Sequence, residues 1–168
     1  MSGTFSEALE INLLNHVFAG TNYPPPSAIF IALYTAAPSA SGGGTEVSGG
    51  AYVRMPVTFS SPTGNPPLIN NPTAVQWAAA QAAWGTIVAG GLFDTPTLGN
   101  FLGSAMLVDP TDGVTLQPKN IGVGDVFRIP VGNLVVGFAA PPLGSSMLSV
   151  RSLATMRAEV LRPRLNVR

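Results

Sequence analysis

The spacing of hydrophobic positions near the N-terminus is that of a helix. Apolar residues recur there at every fourth position, namely Phe5, Leu9, Leu13 and Val17. This spacing places them on one face and predicts a helix over residues 6–18. Thr4 is expected to cap the helix, with Glu7 completing a capping box, and Gly20 is expected to end it. We expect the helix to pack on a sheet or on a neighbouring subunit.

After a connector of three prolines at residues 24–26, the apolar runs become short and are separated by turn residues, which predicts strands. The predicted strands lie at residues 29–35, 52–59, 75–77, 84–93, 100–108, 114–116, 126–129 and 134–138. Residues 60–74 are rich in proline and predict a long loop. Glycines inside the 84–93 run predict a bulge or the close approach of another backbone.

This pattern predicts a mainly β fold with a single antiparallel β-sandwich, either immunoglobulin-like or jelly-roll. Residues 139–150 have the composition of a linker, and residues 147–161 can form a further helix that Pro163 ends. The predicted parts are an N-terminal helix and connector (1–23), a sandwich domain (24–138), and an extended or helical C-terminal arm (139–168). We expect the sandwich to fold without the arm.

The composition indicates a protein of an assembly. Only 10% of the residues are charged, whereas 46% are hydrophobic, and an average soluble domain has about 25% charged residues. No apolar run approaches the roughly 18 residues that a membrane-spanning helix needs, so we expect no membrane partner. A surface this poor in charge tends to associate. We therefore expect a homo-oligomer, such as a trimer, bound to other subunits.

Charge is distributed unevenly along the chain. Residues 1–150 hold three basic and seven acidic side chains, a net charge of −4, and residues 151–168 hold five arginines and one glutamate, a net charge of +4. The residues predicted to contact a neighbouring subunit are Arg151, Arg157, Leu161, Arg162, Arg164, Leu165 and Arg168. Because apolar side chains alternate with these arginines, the arm is better suited to a protein surface than to nucleic acid.

Few residues support catalysis or metal binding. The chain has no cysteine and a single histidine, His16, and it lacks the G-x-S-x-G pattern of a serine nucleophile. Asp109, Asp112 and Asp125 are the candidate calcium ligands, but the sequence around Asp109 and Asp112 suits a turn better than a calcium loop. Four aromatic residues could form a carbohydrate-stacking platform or fill the core, namely Trp77, Trp84, Phe93 and Phe101. We favour the core, and we expect no enzymatic activity and no cofactor.

Four sequence segments follow one another in an order that is informative as a set. They are LYTAAP (33–38), TEVSGGAYVR (45–54), WGTIVAGGLFDTPTLGN (84–100) and the glycine–aspartate turn at 124–125. Together they resemble a family of small virion structural proteins of tailed bacteriophages, often labelled tail fibre proteins, over about residues 5–137. The arm lies outside this resemblance.

The resemblance implies a virion protein, made in the cytoplasm of the bacterial host, whose partners are other virion proteins such as major capsid or tail proteins. Two placements remain open, a capsid decoration or cement protein and a tail-fibre-type component. The absence of sequence repeats argues against a long fibre shaft, and the arm favours binding to a lattice. The alternative function is a receptor- or carbohydrate-binding module of the phage tail.

Overall fold

A computed structural model describes residues 4–109, 111–112, 115–139 and 151–162 of the chain. In this part of the chain, one helix precedes thirteen strands. The helix is α1 (Glu7–Phe18), and the strands are β1 Ile29–Ala36, β2 Thr45–Glu46, β3 Met55–Val57, β4 Leu68–Asn70, β5 Val75–Gln76, β6 Gly85–Ile87, β7 Ala89–Phe93, β8 Phe101–Leu107, β9 Lys119–Ile121, β10 Val126–Ile129, β11 Leu134–Ala139, β12 Arg151–Met156 and β13 Glu159–Leu161. No helix among these residues is long and apolar enough to cross a membrane.

The strands form three sheets, and the predicted β-sandwich is confirmed. The large sheet has eight strands in the order β2-β1-β7-β8-β12-β11-β4, with β3 also paired to β1. The second sheet has the order β13-β10-β5, and β6 pairs with β9. All pairs are antiparallel except that of β8 with β12, which is parallel.

The main core lies between the large sheet and the β13-β10-β5 sheet. Because side chains alternate along a strand, Ile31 and Leu33 of β1 enter this core, whereas Ala32 and Tyr34 join a smaller cluster on the opposite face. Phe127 of β10 is fully buried in the main core. Strands buried on both faces account for the apolar runs seen in the sequence.

Arg151–Met156 and Glu159–Leu161 are strands, so the helix predicted over residues 147–161 is wrong for the described part, 151–161. β12 lies between β8 and β11, and β13 pairs with β10. Met156 is fully buried, and Ala158 belongs to the same core. This position argues against the expectation that the sandwich folds without the arm. The alternating pattern of a strand and the spacing of a helix are hard to distinguish in short apolar runs.

The glycines of β7 make neither the predicted bulge nor the predicted backbone contact, because Gly90 and Gly91 pair in regular register with β8 and approach only side chains. The register of β7 against β8 shifts between Leu92 and Phe93, which is an irregularity of the bulge type. A Cβ at Gly91 would lie 2.7 Å from the Tyr34 ring. The close approach is therefore made by an aromatic side chain, and Gly91 leaves room for that ring over the sheet.

Candidate interaction surfaces

The helix α1 presents apolar side chains to solvent. Ser6, rather than the predicted Thr4, caps the helix, because its Oγ accepts a hydrogen bond from the Leu9 backbone N–H at 3.1 Å. No residue of the helix is buried. Four large apolar side chains form what we term the outer face of α1, with exposed fractions of 57% (Ile11), 58% (Leu14), 64% (Val17) and 80% (Phe18). Such a surface is typical of a helix that a further partner covers.

The opposite side of α1 borders an apolar groove. Leu9 and Leu13 form one wall, and the proline connector with Ile29 and Leu102 forms the other. The groove has a volume of about 440 Å³, and we term it the α1 groove. His16 also borders it, and its Nδ1 accepts a hydrogen bond from the Tyr23 backbone N–H at 3.1 Å. This bond ties the end of the helix to the connector and gives His16 a structural role.

A second surface is organised by Arg54, which joins two of the sequence segments noted above. Its Nε and Nη2 donate to the two carboxylate oxygens of Glu46 at 2.9 and 2.8 Å. Its Nη1 donates to the Leu98 carbonyl at 2.7 Å. The guanidinium also lies 3.6 Å from the centre of the Phe93 ring. Arg54 is therefore a link between residues 45–54 and the loop that follows β7.

Arg54 and the nearby Tyr52 keep the protonation states that these hydrogen bonds require. The hydrogen bonds that Arg54 donates to Glu46 raise the pKa of Arg54, so its positive charge is retained. Burial raises the pKa of the Tyr52 phenol well above its ordinary value. The neutral hydroxyl donates to Glu46 Oε1 at 3.2 Å and accepts from the Leu33 N–H at 2.8 Å. A bidentate pair held in this way is a rigid structural element.

The loop at residues 95–99, which we term the Leu98 loop, is closed at its base and exposed at its tip. Asp94 accepts two hydrogen bonds from Asn100, from the backbone N–H and from the side-chain amide, both at 2.7 Å. A Cβ at Gly99 would overlap Thr95. Leu98 has a backbone φ of 56° and an exposed fraction of 86%. A leucine in this left-handed conformation is uncommon.

The four aromatic residues that could have formed a carbohydrate platform lie in or against the core, as favoured from the sequence. Trp77, Trp84 and Phe93 are buried, and Phe101 is half-buried against the smaller cluster. The two indole N–H groups donate to backbone carbonyls of residues 50 and 53. The tryptophans therefore fix the segment that carries Arg54.

Three of the predicted subunit-contact residues, Arg157, Leu161 and Arg162, are described with their side chains. Arg162 lies with its Nε 3.9 Å from Asp125 Oδ1 of the same chain, and Leu161, which pairs with Val126, is 44% exposed. The buried Nε of Arg157 has no hydrogen-bond partner. Arg164, Leu165, Arg168 and the side chain of Arg151 lie outside the described residues. Their part in subunit contacts remains a prediction.

The aspartates considered for calcium have turn roles where they are described. Asp109 accepts from the Thr111 N–H, and Asp112 accepts from the Thr115 N–H. Among residues 4–109, 111–112, 115–139 and 151–162, no three histidine or acidic side chains are grouped as metal ligands. The sequence predicted a turn at residues 94–99 and a helix packed on a sheet or on a neighbouring subunit, but it did not indicate that Leu98 would be exposed or which face of α1 would be left uncovered. The only available signal for the exposure of Leu98, a single leucine in a polar turn, is too weak to predict it.

Comparison with known protein families gives one match. The family model described as podophage GP4 fiber I protein gp80 matches residues 4–137. The matched range includes α1, the Arg54 link and the Leu98 loop, and it ends before β12. No curated protein matches the chain.

Proposed function

Because this chain belongs to the family of the podophage GP4 fiber I protein gp80, it is a structural protein of the phage virion, and we propose that it self-associates there through the apolar surface of α1. The outer face of α1 carries the proposal, since its four large apolar side chains are 57–80% exposed. Tertiary packing supplies most of the stability of short helices. A neighbouring subunit on this face would supply the packing that the rest of the same chain does not provide there.

The proposal includes the partners and the cellular setting. The protein is made in the host cytoplasm, forms a homo-oligomer such as a trimer, and binds other virion proteins as a non-catalytic, fibre-type component. A role as a capsid decoration or cement protein on a capsid lattice is the other placement. The low content of charged residues supports an assembly role, because apolar subunit faces lose their exposure on association.

Sedimentation velocity of two matched variants tests self-association. Leu14→Lys places a charge in the outer face of α1, whereas Val123→Lys places the same charge at a 69%-exposed valine in the turn between β9 and β10. We expect wild type and Val123→Lys to sediment as oligomers and Leu14→Lys to sediment as a folded monomer. A wild-type protein that remains monomeric at micromolar concentration contradicts the proposal.

Incorporation into particles tests the virion role. Phage produced with Leu14→Lys as the sole copy should contain much less of the protein than phage produced with Val123→Lys. Electron microscopy of intact particles then assigns the density to head or tail. Purified protein that adsorbs specifically to host cells, with normal incorporation of Leu14→Lys, would favour the receptor-binding alternative.

A further inference from the structure

The Leu98 loop combines three features that are unfavourable for an isolated subunit. Leu98 has the largest exposed fraction, 86%, among the large hydrophobic residues of the described structure. Its φ of 56° lies in the left-handed region, which costs energy for a residue with a Cβ. Nevertheless, Arg54 holds its carbonyl at 2.7 Å. Strain that the surrounding structure maintains is a reason to look for a function.

The α1 groove has the size and chemistry to receive this leucine. Its lining is apolar apart from His16 and the Tyr23 hydroxyl, and its volume is about 440 Å³. A cavity of about 150 Å³ accommodates a benzene-sized group, so the groove has room for the Leu98 side chain and for Pro96 beside it. Residues 95–99 and the groove lining contain no acidic, lysine or arginine side chain. Their contact would therefore bury no strong charge.

The position of the two surfaces suits contact between copies. The Leu98 loop connects β7 to β8, and the groove is lined by Leu102 at the start of β8 and by Ile29 at the start of β1. β1 and β8 are both antiparallel to β7, so these strand ends lie at one end of the large sheet. The exposure of Leu98 shows that it does not fill its own groove.

We propose that the Leu98 loop of one copy inserts into the α1 groove of a second copy. This contact rests on the self-association proposed above and names the residues that make it. In a two-fold dimer each loop would enter the groove of the other copy, and in a ring each loop would enter the groove of the next subunit. Arg54 is then a positioning residue that keeps the loop in the shape that enters the groove, which lowers the cost of ordering on binding.

Disulfide trapping tests the contact directly, because the natural chain has no cysteine. Leu98→Cys and Pro25→Cys are prepared separately, mixed at micromolar concentration, and oxidised. Pro25 is an exposed residue of the groove wall. We expect a mixed disulfide in high yield, since cysteines bridge only when their Cα atoms are within about 7 Å. The control mixture is Val123→Cys with Pro25→Cys, and an equal yield of mixed disulfide from it overturns the proposal.

Substitution of Leu98 separates this contact from self-association in general. Asparagine tolerates the left-handed conformation, so Leu98→Asn removes the apolar side chain without adding backbone strain. Leu98→Met is the matched control, because it retains an apolar side chain. We expect the asparagine variant to self-associate about 10- to 100-fold more weakly, the range expected for a buried leucine, and the methionine variant to lose less than about threefold. If Leu14→Lys dissociates the oligomer while Leu98→Asn leaves it intact, self-association stands and the loop contact is wrong.

Discussion

At the scale of single residues, Arg54 links more parts of the structure than any other charged side chain described. It contacts Glu46 through two hydrogen bonds, the Leu98 carbonyl through another, and the face of the Phe93 ring. Its side chain is only 10% exposed, so the interaction is little screened by water. Removing it would leave Glu46 without its counter-charge in a half-buried position.

Arg54→Ala is therefore expected to lower the free energy of unfolding by about 2–4 kcal/mol. The matched control is Arg128→Ala, which breaks the ion pair with Glu159, where both side chains are well exposed at 37% and 43%. An exposed pair is worth about 0–1 kcal/mol. Urea denaturation of both variants measures the difference. Equal losses of stability would show that Arg54 is not a structural link.

At the scale of elements, β12 joins the two halves of the large sheet. It pairs with β11 along six residues and with β8 at Thr155 and Met156. The residues before and after the linker therefore depend on each other for folding. A strand inside a sheet satisfies hydrogen bonds on both sides, and its removal would expose two sheet edges.

Point substitutions test this role without truncation. Met156→Ala is expected to lower the free energy of unfolding by about 2–5 kcal/mol, because Met156 is fully buried between the sheets. Leu161→Ala, at a position 44% exposed in β13, is expected to cost less than about 1 kcal/mol. Thermal and urea denaturation provide the measurement. A Met156→Ala protein as stable as Leu161→Ala would indicate that the arm is not part of the folded core.

At the scale of the whole molecule, two modes of association differ in their response to salt. The contacts proposed for the outer face of α1, the α1 groove and the Leu98 loop involve no strong charge, whereas an arginine arm on an acidic surface would be an ionic contact. We expect the dissociation constant to change by less than about threefold between 50 and 500 mM sodium chloride, because screening acts on charges. Sedimentation equilibrium across this range checks the result. A loss of association that grows steadily with salt would favour the arginine arm.

Part of the β architecture could be predicted from the sequence, whereas β4 lies inside the loop predicted at residues 60–74. Turn residues between short apolar runs gave the positions of β1, β8, β10 and β11, because glycine, proline and aspartate favour turns for local reasons. The helix was predictable from the period of its apolar residues. The cap was assigned to Thr4 rather than Ser6, since both residues can accept the same backbone hydrogen bond and only the geometry distinguishes them.

The sequence by itself determined a mainly β fold with one N-terminal helix and a low content of charge, because these follow from local pattern and composition. The resemblance to phage virion proteins rested on the ordered segments at 33–38, 45–54, 84–100 and 124–125. Only the tertiary structure decided that β12 lies inside the sheet, that Arg54 holds the Leu98 loop, and that one face of α1 is left uncovered. These features depend on contacts between residues far apart in the chain, such as Arg54 with Leu98 and Met156 with β8. The spacing of residues along a sequence does not show which distant segments come into contact, and the burial of each side chain depends on those contacts.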